Sequence, residues 1–123
     1  MVDKDTFFMK KALIEAKKAE YEDEVPVGAI IVHNEKIIAK AHNMCITLCD
    51  PTAHAEMQAI TAACNYLESR YLEGCTMYTT LEPCVMCAGA LFWSKIDVIV
   101  YGCNDKKEWG GIVSKNIIHP KTK

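Results

Sequence analysis

Two short stretches hold the residue types that do chemistry. In Asp50-Pro51-Thr52-Ala53-His54-Ala55-Glu56, an imidazole and a carboxylate stand two positions apart. In Glu82-Pro83-Cys84-Val85-Met86-Cys87, two thiols stand three apart, directly behind a proline. Imidazole nitrogen and thiolate sulfur are zinc ligands. A structural zinc site closes with four protein ligands, whereas a catalytic one holds three and leaves the fourth position to water. His54, Cys84 and Cys87 make three. Glu56 lies too near His54 in sequence for both to reach one ion easily, but it can reach the water. The pattern points to one Zn2+ per chain and to hydrolysis, with Glu56 as general base and then general acid.

Proline suits the first turn of a helix, so Pro51 and Pro83 place both clusters where a loop gives way to a helix start. Unpaired N–H groups and the helix dipole favour anions there, which eases ionisation of Cys84 and Cys87. Residues three apart share a helical face, so both sulfurs can address one ion. His54 comes from a different helix, and the metal would staple the two together. The bland alternative is a closed zinc staple, with Glu56 merely solvated and a fourth ligand drawn from His42, Cys45 or Cys49. Cys45 and Cys49 sit in the loop before Asp50 and are read as free thiols, and Cys64, Cys75 and Cys103 as small core residues.

The elements that must position these residues follow from periodicity. Residues 5–21 read as a surface helix with Phe8, Ala12, Ala16 and Ala19 on one stripe, Leu13 beside it, and Asp5 or Thr6 as cap. Glu22-Asp23-Glu24 ends it in an acidic turn. The runs 27–32 and 36–39 are β-branched and separated by His33-Asn34-Glu35, which predicts an antiparallel hairpin with His33 exposed at its tip. Their near-continuous apolar character implies a sheet covered on both faces. A second helix is expected to start between Asp50 and His54, capped by Asp50 or Thr52, with Met57, Ile60, Ala63, Cys64 and Leu67 on its inner face. A strand over 76–80, a third helix opened by Pro83 and a strand over 97–101 follow. This alternation implies parallel crossover units. The predicted fold is α/β: a three-layer α-β-α sandwich with a mixed, mostly parallel central sheet, in one domain spanning residues 1–123. The segment 106–111 with Trp109 reads as a loop, and Val113, Ile117 and Ile118 as a last edge strand.

Composition bounds the function. Half the 123 residues are hydrophobic and 24% are charged, an ordinary globular balance. No apolar run approaches the roughly 20 residues of a membrane span, and the first residues do not read as a secretory signal. Seven cysteines without disulfide-framework spacing fit a reducing cytoplasm. A net charge of −2 and a pI near 6.1 exclude a broadly basic nucleic-acid binder. The end of the chain differs. From Cys103 to Lys123, five lysines stand against Asp105 and Glu108, a local net of +3 that fits either a solvated tail or an RNA-facing patch.

The combination of H-x-E with P-C-x-x-C is the signature of zinc nucleobase deaminases. Here the chain resembles the cytidine-deaminase superfamily and, more narrowly, the tRNA-specific adenosine deaminases. The resemblance rests on Glu24-Val25-Pro26-Val27-Gly28-Ala29, Ala41-His42-Asn43, Asp50 through Glu56, Thr80 through Cys84, Met86 through Ala90, and Tyr101-Gly102 with Asp105-Lys106. It implies that His54, Cys84 and Cys87 hold zinc and that Glu56 shuttles protons. It further implies that Asn43 hydrogen-bonds the flipped nucleoside, that the Ala55 backbone reads the base, and that Val27 lines its pocket. The implied reaction converts adenosine to inosine at the wobble position of a tRNA anticodon stem-loop, in a homodimer. Family members usually continue past the position of Pro120 into a helix that helps grip RNA, whereas this sequence stops at Lys123. The segment 106–111 also departs from the usual form.

Taken without the resemblance, Asn43 reads as a turn residue and Val27 as core. Phe92-Trp93 reads as helix packing or a dimer contact, Trp109 as a candidate for stacking on nucleic acid, and His119 has no evident partner. Two other functions fit the same residues: deamination of free bases or nucleosides such as guanine or cytosine, and a non-catalytic zinc-stabilised RNA-binding subunit.

Overall fold

A computed structural model of the chain describes residues 3–103. The expected 106–111 loop with Trp109, the edge strand with Val113, Ile117 and Ile118, the lysine-rich segment and His119 lie outside the described residues. The elements are α1 (Lys4–Tyr21), β1 (Gly28–His33), β2 (Lys36–His42), α2 (Ala55–Leu67), β3 (Cys75–Leu81), α3 (Val85–Ser94) and β4 (Val98–Cys103), in the expected order.

The sheet order is β2-β1-β3-β4. β1 pairs antiparallel with β2 and with β3, while β3 pairs parallel with β4. The sheet is therefore mixed, but parallel pairing among the described strands is limited to β3–β4, less than the sequence pattern predicts. Strand direction explains the difference. β2, β3 and β4 all run one way, as α-helical crossovers require, but β1 is inserted between β2 and β3 and runs the other way. The crossover through α2 thus joins two parallel strands that are not neighbours.

The strand faces alternate between two cores. Ile30, Val32 and Tyr78 pack with Phe8 and Ala12 of α1 on one face. Ala29, Ile31 and Met77 pack with Ala55, Ala59 and Ala63 of α2 and with Ala88 and Leu91 of α3 on the other. This makes the three-layer α-β-α sandwich. It also accounts for the unbroken apolar run in β1, whose residues 28–32 are all buried. On α2 the buried line is the alanine row; Ile60, Cys64 and Leu67 pack at its flank, so the inner face is rotated from the expected one. Leu13 is exposed, and Glu15 is buried on the α1 stripe instead.

Local signals shift several boundaries. Asp3 caps α1, accepting from the Asp5 amide at 3.3 Å and from the Thr6 hydroxyl at 3.4 Å. Asn34 and Glu35 both have positive φ, the backbone of a two-residue hairpin turn. His33 beside it is half-buried, its Nδ1 3.4 Å from the Gly74 carbonyl oxygen. Cys75 is a core residue, as expected, but Cys103 is exposed because β4 ends there at the surface.

Small residues let α1 lie directly on β1. A Cβ at Gly28 would overlap the Ala12 carbonyl oxygen and the Ala16 amide nitrogen and lie 2.8 Å from Glu15 Cβ. These are backbone atoms of a helix and cannot swing aside. Gly28→Ala is therefore expected to push α1 off the sheet and destabilise the fold by about 1–3 kcal/mol. Thermal unfolding would show a drop of several degrees; an unchanged midpoint would contradict the packing described.

Candidate metal centre and its cleft

The strand directions place one end of the sheet at the site. β2 runs into Asn43 and β3 into Leu81-Glu82, while Val25 and Val27 lead into the antiparallel β1. All five residues line one cleft of about 330 Å3, together with His54, Glu56, Cys84 and Val85. That volume is at the lower end of ligand pockets, which span roughly 300–1,000 Å3.

His54 and Cys84 are the N-cap residues of α2 and α3, and neither side chain makes a cap hydrogen bond. The second helix thus begins at Ala55, later than expected. Asp50 and Thr52 do not cap it; they form a turn in which Asp50 Oδ1 accepts from the Thr52 amide at 2.8 Å and its hydroxyl at 2.7 Å. Both cap side chains instead turn toward a common point. His54 Nδ1 lies 3.7 Å from Cys84 Sγ and 3.6 Å from Cys87 Sγ. Bond lengths of about 2.0–2.3 Å at tetrahedral angles put a nitrogen and a sulfur ligand of one zinc roughly 3.5 Å apart. The donor set fits the ion without rearrangement. All three ligand atoms lie within 4.8 Å of one another, and no fourth joins them among the described residues. His42 is engaged elsewhere, with Nε2 3.0 Å from Glu22 Oε1 and Nδ1 3.6 Å from Glu15 Oε1. Cys45 and Cys49 remain free thiols outside the group.

The electrostatics call for a cation. A hydrogen bond from Cys87 draws the Cys84 thiol down to about 5, against the opposing effect of burial; amides at the start of α3 and the nearby His54 assist. The same hydrogen bond, burial and the Glu56 charge push Cys87 well above the usual thiol range. One sulfur ionises readily and its neighbour resists. A divalent ion removes that conflict, because it stabilises both thiolates at once.

Glu56 occupies the first turn of α2, where its charge suits the helix dipole. It is 4% exposed and lines the cleft beside His54 and Cys84. Asn43 is buried at the cleft wall; its amide donates to the Val27 carbonyl at 3.1 Å and its Oδ1 accepts from the Cys45 amide at 3.4 Å. Val27 lines the same wall. Ala55 lies between His54 and Glu56 in the chain but is fully buried in the core and does not line the cleft. Gln58 ties the two sides, its Nε2 donating to the carbonyls of His42 at 2.7 Å and Ala53 at 3.1 Å.

Sequence reasoning missed Glu82 and Glu24. Glu82 is 2% exposed and lines the cleft; its place directly before Pro83-Cys84 was the available signal. Glu24 closes the expected acidic turn, but it is buried, and only tertiary contacts distinguish it from Glu22 and Asp23.

Comparison with known proteins agrees with this geometry. The model of the cytidine and deoxycytidylate deaminase zinc-binding region matches residues 2–103. A tRNA-specific adenosine deaminase of Aquifex aeolicus is 56% identical over 108 residues, which is 88% of this chain and 71% of that protein. Its Bacillus subtilis counterpart is 52% identical over 103 residues, 84% of this chain; the chain spans 64% of that relative's length. Among solved structures, a tRNA:A34 deaminase superposes with a TM-score of 0.87 at 39% identity, covering 96% of this chain and 91% of its own. A guanine deaminase from Bacillus subtilis superposes with a TM-score of 0.78, also at 39% identity, covering 80% of this chain and 63% of its own. Sequence identity, fold and the converging His-Cys-Cys donors all lead to one assignment: the chain belongs to the tRNA-specific adenosine deaminase family, within the zinc-dependent cytidine and deoxycytidylate deaminases.

Proposed function

We propose that this chain deaminates adenosine to inosine at the wobble position of a tRNA anticodon, with His54, Cys84 and Cys87 holding zinc and Glu56 carrying protons. The chemistry is supported chiefly by one observation: three ligand atoms lie within 4.8 Å of one another, and two of their residues, His54 and Cys84, line the cleft beside Glu56. The choice of substrate is supported by two relatives above 50% identity that carry the tRNA-specific name.

A zinc ion held by His54, Cys84 and Cys87 would supply a Lewis acid for activating water. Glu56 moves the two protons of the attacking water in turn, the first to the ring nitrogen beside the reacting carbon and the second to the exocyclic amine. The amine leaves as ammonia and the water oxygen remains as the carbonyl oxygen of inosine. Asn43 offers hydrogen bonds to the nucleoside and Val27 packs against it. The cleft volume suits one nucleoside flipped out of an RNA loop.

A second copy of the chain is the proposed partner of α3. This ten-residue helix carries no charged side chain, and Val85, Phe92 and Trp93 are 45%, 53% and 75% exposed. Phe92 and Trp93 stack edge to face with centroids 5.5 Å apart, a preformed apolar ridge. Among the described residues no helix is long and apolar enough to cross a membrane, and all seven cysteines are free, which supports a reducing, cytoplasmic setting.

Inosine formation in an anticodon stem-loop, assayed beside ammonia release from free guanine, guanosine, cytosine and adenosine, tests the substrate. Turnover of the stem-loop is expected; turnover of guanine alone would favour the reaction named for the structural neighbour. Glu56→Ala is expected to keep its zinc and fold while losing at least ~100-fold in rate.

Zinc affinity of the apoprotein should rise with pH. The hydrogen bond between the two thiols draws Cys84 down and, with burial and the Glu56 charge, pushes Cys87 up, so at pH 7 the pair keeps one proton that zinc must displace. Between about pH 7 and 8 one proton is released per ion and the affinity climbs about tenfold. Chelator competition with proton-release calorimetry checks this, and a flat dependence would contradict it. Trp93→Asp should shift the protein toward monomer in sedimentation velocity.

A further inference from the structure

Glu24 lies between α1 and β1, outside the donor set, with its side chain buried against the loop that follows β2. Its Oε1 accepts from the Ile46 amide at 3.0 Å, and its Oε2 accepts from the Thr47 amide at 2.6 Å and the Thr47 hydroxyl at 2.7 Å. The preceding amide, that of Cys45, donates to Asn43 Oδ1. Three successive N–H groups are thus taken up by two side chains, one of which lines the cleft. Burial alone would raise the Glu24 carboxyl, but the hydrogen bonds from Thr47 and Ile46 outweigh it and hold the group below the usual carboxylate range. It therefore stays an anion with acceptor sites for all three donors.

Glu24 is tied to the cleft by two routes. Val25, directly after it, and Val27 line the cleft, and the loop it holds begins at Asn43, which lines it too. The Asn43 amide closes the circuit on the Val27 carbonyl. With Asn43 Oδ1 turned toward the Cys45 amide, its NH2 is a donor suited to an acceptor atom of a base or ribose.

We infer that Glu24 is a positioning residue: it fixes the amides of residues 45–47 and, through them, aims the Asn43 carboxamide at the nucleoside. The inference rests on the cleft being the nucleoside site. With Glu24 removed, the Ile46 and Thr47 amides lose their acceptor, the loop relaxes, and the Cys45 contact that orients Asn43 loosens. A displacement of about 1 Å at such a group can cost on the order of 100-fold in rate.

The test compares zinc-loaded wild type, Glu24→Ala, Glu24→Gln, Asn43→Ala and the Glu24→Ala/Asn43→Ala double variant. Two-dimensional NMR reads the Asn43 side-chain NH2 resonances and the exchange of amides 45–47, independently of turnover. In Glu24→Ala the NH2 resonances should move and amides 46 and 47 should exchange at least ~10-fold faster. On an anticodon stem-loop, kcat/KM should fall ~10–100-fold, with Glu24→Gln intermediate because it keeps one acceptor oxygen. In the Asn43→Ala background the same change should cost less than ~3-fold, since coupled residues are not additive. Unchanged Asn43 resonances and amide exchange would overturn the inference, as would activity losses that simply multiply. Should Glu24→Ala fail to fold, Glu24→Gln carries the same comparisons. If wild type does not turn over the stem-loop, the substrate reading fails while the NMR readout still decides the role of Glu24.

Discussion

A nitrogen must meet two sulfurs that lie 30 and 33 residues further along the chain, and the direction of the strands makes this possible. β2 and β3 run the same way with β1 reversed between them, so the segments leaving β2 and β3 emerge at the same end of the sheet. Each leads into a helix whose first turn faces the other. The alanine row of α2 lets that helix settle close on the sheet, and Gln58 fixes its start against the end of β2. Slip β3 by one residue and its inward and outward side chains would exchange faces, and the approach to Cys84 would change with them.

Proximity creates an electrostatic problem that the fold only partly solves. Two ionisable thiols and a carboxylate crowd a buried space, and the backbone offers only the partial positive charge of two helix starts. It assists Cys84, which the hydrogen bond from Cys87 draws down most, and does not offset what pushes Cys87 up. Full ionisation waits for a divalent cation, so the protein alone is an incomplete charge arrangement. The same crowding includes Glu56, which lines the cleft beside His54 and Cys84.

The chemistry was more legible than the geometry. His54, Cys84 and Cys87 declare themselves as a donor group by residue type and spacing, because few other arrangements bring three soft or borderline donors together. The element order followed from periodicity for the same reason: Phe8-Ala12-Ala16-Ala19 and the β-branched runs have one economical folding. Strand adjacency did not follow, since nothing local in Gly28–His33 says that it will lie between β2 and β3. Helix starts were misplaced at Asp50 and Thr52, where good cap residues form a turn while His54 and Cys84, poor caps, begin the helices. Glu24 was invisible for another reason. Its neighbours Glu22 and Asp23 have the same charge, and only the loop 44–49 folding back on it separates an anchor from a solvated acid.

The bare caps of α2 and α3 have a wider consequence. An ordinary N-cap side chain stabilises its helix at all times; His54 and Cys84 have given up that task to face each other. The ion that links them takes over as the clasp of both helix starts, so reagent and architecture share one atom.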